Sequence, residues 1–270
     1  MNGCAILTYH SQNIAGHGTG DNDHVALAAD LERLLDAGVP VVPLGWVADW
    51  LDGERPAADL DGAVCLTFDD GCDFDVRDLA WPGIGPQRSF LGILEDFVAR
   101  HGEGAQPHLH ATSFVIASPE ARRVIDAQAL FGHGWMGDDW WGEARAGGRL
   151  ALGNHSWDHA HPALAAPGEV VPGFTDVADE ASCRAQVVRA AEYIATRAGA
   201  WPGFFAYPCG ESSAYLREEW FPSRADTHRC RAALGTEPAH VTPGSERWNL
   251  PRYVCGRDWK TPEQLLSLLA

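Results

Sequence analysis

The sequence predicts an α/β fold on a mostly parallel sheet, and three observations predict it. Short apolar runs alternate with segments of helical periodicity along the whole chain, the pattern of strands joined by crossover helices. The runs number seven or eight, enough to close a barrel. No linker, repeat or low-complexity stretch interrupts them, so the 270 residues read as one domain, 1–270.

Taken in order, Ala5 to Tyr9 reads as the first strand, ending at His10, with a Gly-rich loop to Asp23. Val25, Leu27, Ala28, Leu31, Leu34 and Leu35 recur at helical spacing and Gly38 caps that helix. A short strand is predicted over Val39 to Val42 and a short amphipathic helix over Leu44 to Leu51. Ala63 to Phe68 is a buried strand leading into Asp69-Asp70-Gly71. Cys72 to Arg88 shows no clear period and is expected to be a long loop over the same face as that strand's exit. A helix over Ser89 to Arg100, a strand over His110 to Ala117 and a helix starting at Ser118-Pro119 come after it. Next are a Trp- and Gly-rich segment, Phe131 to Trp141, a short helix to Ala146, and a strand from Leu150 that exits at His155. Asp179 to Arg197 is the strongest helical pattern, succeeded by a strand at Gly203 to Pro208 and a helix at Ser213 to Trp220. Cys230 to Leu234 and Pro251 to Cys255 are the last strands, and Thr261-Pro262 opens a final helix.

Composition narrows the function. The net charge of −17 argues against nucleic acid and anionic membrane as partners. No apolar run is long enough for a transmembrane helix, so no membrane insertion is expected. Seven cysteines without a Cys-x-x-Cys pair read as buried reduced thiols. Met1 to Leu7 lacks the basic and apolar regions of a signal peptide, so the chain as given reads as cytoplasmic; a removed leader would make it extracytoplasmic. Eleven tryptophans suit a core, and a sugar-binding surface uses the same flat rings.

Three strand exits carry chemistry. At Asp69-Asp70-Gly71 one carboxylate can bind a metal while the other stays free as a base; a plain Asp-Gly surface turn is the alternative. His155 and His159, at i and i+4, would lie on one face of a helical turn about 6 Å apart, close enough to share a metal, or they are two ordinary loop histidines. Asp70 would complete a two-His, one-carboxylate set for which zinc is the default ion and iron, cobalt or nickel are acceptable. In Phe204-Phe205-Ala206-Tyr207-Pro208-Cys209-Gly210, proline and glycine shape a strand end whose amide can face a developing oxyanion. His108 and His110 precede a strand, which places them on the opposite face, as structural residues.

Thr67-Phe68-Asp69-Asp70-Gly71, His155-Ser156 with His159, and Phe205 to Gly210, in this order, resemble the polysaccharide deacetylase family, the NodB-homology or carbohydrate esterase 4 group. The resemblance covers nearly the whole chain and implies a distorted (β/α) barrel with one divalent metal. It further implies Asp70, His155 and His159 as metal ligands, Asp69 as general base, Ser156 as a brace for the histidine loop and the Cys209 N–H as an oxyanion donor. The implied reaction is attack of a metal-bound water on an acetyl group of an N-acetylated sugar or polysaccharide. Three positions depart from the family pattern. Ala206 stands where an Arg is usual, with Arg252 as the candidate substitute; Cys209 replaces an aromatic; and the late Leu-x-His motif is missing. Leu7-Thr8-Tyr9-His10 is similar to the poly-N-acetylglucosamine deacetylase branch, which implies His10 as the acid. Asp258-Trp259 matches an Asp-Trp element only weakly, and Trp259 reads as core or groove wall. Two other functions stay open at this point: hydrolysis of another small-molecule C–N bond, such as a cyclic amide or formamide, and a carbohydrate-binding protein with a relic site.

Overall fold

β1 (Ala5–Tyr9) and β2 (Val64–Phe68) are buried at every position, as central strands of a parallel sheet must be. The computed structural model describes residues 3–166 and 168–270. Further along the chain lie β3 (Leu79–Trp81), β4 (Gly85–Gln87), β5 (Ala111–Val115), β6 (Leu150–Asn154), β7 (Phe204–Ala206), β8 (Ala232–Leu234) and β9 (Tyr253–Val254). Seven of these form one sheet in the order β8-β7-β6-β5-β2-β1-β9, and every pairing in it is parallel. The sheet curls toward closure. β8 and β9 share no ladder, but Leu250, just before β9, bridges to Leu234 of β8. The Leu250 N–H donates to the Ala233 carbonyl at 2.8 Å, its carbonyl accepts from the Gly235 N–H at 2.9 Å, and the Arg252 N–H donates to the Glu237 carbonyl at 3.1 Å, so a short run of backbone bonds holds the seam.

Alternation along the strands sorts their side chains into two cores. Leu7, Leu66, Val115 and Leu152 face outward. They pack under α1 (Asp23–Asp36), α3 (Phe90–His101), α7 (Arg189–Ala198) and the C-terminal helix Pro262–Leu269, through Leu27, Leu31, Phe97, Ile194 and Leu265 among others. Ile6, Cys65, Phe114, Ala206 and Leu234 fill the interior, and Leu44 and Val47 of α2 (Leu44–Leu51) join that cluster. Each fully buried Leu or Ile contributes about 1.5–3 kcal/mol. The helices start on the expected caps: Ser89 accepts from the Gly92 N–H, Ser118 from Ala121 and Thr261 from Gln264. α4 (Pro119–Ala129) and α5 (Trp141–Ala146) complete the set before the strongest helical pattern. That pattern is a continuous helix in three parts: α6 (Glu180–Cys183), a π-helical stretch Arg184–Val188, and α7.

Three expectations are corrected. Val39 to Val42 is no strand; only Val41 makes an isolated bridge, to Val64. The helix expected over Ser213 to Trp220 begins with a π-helical stretch, Tyr215–Trp220, that runs on through Phe221–Ser223. Cys72 to Arg88 is not plain loop. It holds a 3-10 turn, Asp73–Asp75, and the β3–β4 hairpin. Pro82 and Gly83 make a type II turn, with Gly83 at φ 79° and the Ile84 N–H on the Trp81 carbonyl at 3.1 Å. All seven cysteines are free thiols, and Cys209 alone is exposed. Among the described residues no helix is long and apolar enough to cross a membrane.

Candidate active site

The C-terminal ends of β1, β2, β6 and β7 bring His10, Asp69 with Asp70, His155 and Cys209 toward one end of the barrel. At the exit of β2 the backbone turns through two consecutive left-handed residues, Asp70 at φ 75° and Gly71 at φ 70°. A Cβ on Gly71 would lie 2.6 Å from a Val115 methyl, so glycine is required on both counts. The turn sends the two carboxylates to different partners.

Asp69 is buried, and Arg252 grips both of its oxygens, at 2.8 and 2.9 Å. Arg252 stands just before β9, is fully buried, and donates from Nε to the Gly235 carbonyl at 2.9 Å, so one side chain ties both edges of the sheet to Asp69. Burial pushes the Asp69 carboxyl up; the Arg252 guanidinium, then the nearby histidines, outweigh it and hold it below the usual range. At neutral pH it is a carboxylate with a fixed orientation.

Asp70 turns the other way. Its Oδ1 lies 3.4 Å from Nε2 of His155 and 3.4 Å from Nε2 of His159, buried and without a hydrogen bond. Its Oδ2 accepts from the Gln12 amide. His155 Nδ1 lies 2.9 Å from the Ala206 carbonyl. A carbonyl only accepts, so Nδ1 carries a proton, and in the neutral ring Nε2 presents a lone pair toward Asp70. For His159, burial wins over the attraction of Asp70 and lowers the imidazole to about 4, so it is neutral at pH 7. For His155, burial is outweighed by the Asp69 and Asp70 charges, which raise it. The donor atoms of the three residues lie within 4.8 Å of one another. A carboxylate and two imidazole lone pairs cannot satisfy each other by hydrogen bonding without protonation. They fit a divalent cation, and the orphaned Oδ1 marks the place.

The histidine pair does not sit on a helical turn. The segment is irregular, with Ser156 at φ 70°, His159 at φ 65° and Ala160 at φ 48°. Side chains replace the helix bonds that the spacing implied. Asn154 accepts from the Ser156 N–H, Ser156 Oγ from the His159 N–H, and Gln186 holds both the Trp157 N–H and Asp158. The two rings end 4.9 Å apart at their centroids.

His10 stands near enough for its charge to lower both Asp69 and Asp70, and its Nδ1 is buried without a partner. Its backbone N–H is held by Asp23 at 2.8 Å. Cys209 adopts a left-handed conformation, φ 55°, and its N–H has no hydrogen bond among the described residues. Although the residue is exposed, its thiol is partly desolvated, which raises it, as do Asp70, Glu211 and Asp69. His110 lies away from this group, in a hollow with Pro43 and Arg149 at the start of the strands, where burial alone lowers it to about 4. Trp259 is core: its indole donates to Asp30, as does the Tyr9 hydroxyl, each at 2.9 Å. His161, 5.6 Å from His159 between ring centroids, borders the site.

Two participants were missed by sequence reasoning. Gln12 sits in the Gly-rich loop and carries no motif. Asp75, fully buried, accepts from Ser11 at 2.5 Å and Ser113 at 2.6 Å, joining the exit of β1 to β5. Burial raises it to about 7 against those two hydroxyls. Their signals exist only across the fold: Ser113 interrupts an apolar strand, and Asp75 is one acid among several in a segment without periodicity.

Residues 105–220 match the family model for polysaccharide deacetylase, a stretch that holds His155, His159 and Cys209. No curated protein matches the chain. Among solved structures, a deacetylase from Streptococcus pyogenes, PplD in complex with acetate, superposes with a TM-score of 0.66 at 16% identity, covering 99% of this chain and 98% of that one. IcaB from Ammonifex degensii gives 0.64 at 16% identity, covering 100% and 97%. The deacetylase domain of BpsB from Bordetella bronchiseptica gives 0.63 at 16%, covering 94% and 96%. At such identities these likenesses establish the shared fold, a curled sheet of seven parallel strands. The central stretch of the chain, residues 105–220, is thus similar to the polysaccharide deacetylase family, and the fold around it agrees with that likeness.

Proposed function

We propose that the protein is a metal-dependent deacetylase of N-acetylated sugars, with Asp70, His155 and His159 holding one divalent ion, zinc first among the candidates. The observation that carries the reading is the division of labour at Asp69-Asp70: one carboxylate gripped by Arg252, the other turned with an unpaired oxygen toward two imidazole nitrogens. The acetate held by the Streptococcus pyogenes neighbour agrees with an acetyl product. When bound, a divalent ion supplies Lewis acidity at an acyl oxygen and acidifies water.

The chain's own residues would then divide the proton transfers between them. Asp69 takes a proton from the attacking water. Both its oxygens are fixed by Arg252, so it keeps one orientation but is a weak base, and it depends on an acidified water. His10 gives a proton to the departing nitrogen, its ring held beside Asp69 by the anchoring of its backbone on Asp23. The Cys209 N–H is available to the carbonyl oxygen as charge develops.

Metal content and turnover on acetylated chito-oligosaccharides, measured on the same preparations, test this. Asp70→Ala and His155→Ala should each lose the metal. Asp69→Asn should keep it and lose roughly 10²–10⁴-fold in turnover. Normal metal retention in Asp70→Ala would sink the assignment.

A further inference from the structure

One end of the site opens into a cavity of about 200 Å³ that the deacetylation reading leaves unused. Gln12, Asp70, His159 and His161 form its polar end, and Trp81, Ile116, Ile125, Leu130 and Met136 form most of its wall. The four aliphatic and thioether side chains are buried members of one apolar cluster. Cys72, also on the wall, donates its thiol to the Trp135 carbonyl at 3.1 Å. The wall is contributed by the β3–β4 hairpin, β5's exit and α4 with the segment after it.

Size and chemistry decide what can enter. An apolar cavity of about 150 Å³ already takes a six-carbon ring. An acetyl group brings one methyl beyond its carbonyl, and it would leave most of this space unfilled. A sugar ring carries hydroxyls on every side, and those turned away from the polar end would be stripped of water against the apolar wall without a partner. A hydrocarbon chain loses nothing there and gains contacts. The site also sets the direction. The cavity is lined by Asp70 and His159 but by none of Asp69, His10 and Cys209. The departing nitrogen has to lie at the proton donor, so the group entering the cavity is the substituent on the acyl carbon.

We propose that this cavity is an acyl pocket, and that the enzyme hydrolyses amino sugars whose N-acyl chain has about four to six carbons in preference to acetyl. The proposal rests on the reading of His10 and the metal residues given above. The reaction is amide hydrolysis and balances with water alone. The water oxygen bonds to the acyl carbon, the C–N bond breaks, the nitrogen leaves protonated as the amine, and the acyl group leaves as its carboxylate.

Two measurements on the full chain test it. Glucosamine N-acylated with acetyl, propionyl, butyryl and hexanoyl groups is assayed for kcat/KM, which should rise roughly fourfold per methylene until the cavity is full. Acetate, butyrate and hexanoate are titrated separately with tryptophan fluorescence as the readout, because Trp81 lines the cavity and stacks on Trp135 at 5.9 Å. Hexanoate should bind at least about tenfold tighter than acetate. Ile125→Phe, which fills the space, should reduce that preference. Turnover that is highest on acetyl, with equal carboxylate affinities, overturns the acyl pocket and leaves the deacetylase reading standing. Hexanoate preference that Ile125→Phe removes, with no turnover on any of the sugars, supports the pocket and overturns the sugar reading.

Discussion

Arg252 offers the sharpest test of how the site is built. It is fully buried, its two terminal nitrogens hold the two oxygens of Asp69, and its Nε holds the Gly235 carbonyl. Replacing it by alanine strands a buried carboxylate and a carbonyl. Breaking one partner out of a buried pair costs about 3–5 kcal/mol, most of it the penalty of the charge left behind. Arg252→Ala should therefore lower the urea midpoint strongly and, for a chain of this size, the melting temperature by roughly 10 °C. Removing the stranded charge as well, in Asp69→Ala/Arg252→Ala, should recover about 2 kcal/mol or more, so the two changes are non-additive. Urea unfolding of the two single variants, the double variant and the parent at pH 7.5 gives the coupling directly. A cost below about 1 kcal/mol for Arg252→Ala, or simple additivity, would refute the reasoning, because a pair this buried cannot be energetically silent.

Two further outcomes are expected. Burial raises Asp30, which accepts from Tyr9 and Trp259, to about 6, while an unfolded Asp titrates near 3.9. Between those values the folded chain holds a proton that the unfolded chain has released. The contribution of Asp30 to stability is thus greatest at about pH 4 and falls by about 2–3 kcal/mol as pH rises through 6. Asp30→Asn should remove this slope, so the stability difference between variant and parent must change sign or size between pH 5 and pH 8 in urea titrations; a constant difference would contradict it. Ser156→Ala should leave His159 without its backbone anchor and weaken metal binding about 10-fold or more, measured by competition with a chelator, with little change in urea midpoint.

The parts of the site that are legible in the sequence are those written into strand exits. An apolar run leading into Asp69-Asp70-Gly71 fixes where the carboxylates emerge, and the steric demand of Val115 explains why a glycine comes next. Leu150 to Asn154 does the same for His155. Arg252 can be named because an arginine is missing at Ala206 and Arg252 stands on the last expected strand, but its position inside the barrel depends on a seam that no local pattern encodes. The i, i+4 spacing of His155 and His159 suggests a helix, and the residues that prevent one, Asn154 and Gln186, act through side chains that local periodicity does not register. The β3–β4 hairpin is hidden because Pro82 and Gly83 look like interruptions, when together they are a turn. Gln12 and Asp75 reach their partners, Asp70 and Ser113, across 58 and 38 residues, beyond any window that reads local pattern.

The π-helical stretch Arg184–Val188 ties a helix register to the histidine loop. Val187 gives its carbonyl to the Asn154 amide at 2.8 Å, and Gln186 braces Trp157 and Asp158. A wide turn of this kind accommodates one residue more than an α-turn would. Deleting a single residue there would tighten the helix into regular form and, on the ordinary helix, rotate its N-terminal part by about 100° relative to its C-terminal part. Whichever side stayed docked on the barrel, Gln186 and the residues before it could not keep both their helix packing and their grip on the loop. The local irregularity therefore works as a phase marker. This stretch should tolerate side-chain changes on its outer face far better than any change in length, and a one-residue gap here in a related sequence should coincide with a differently supported histidine loop.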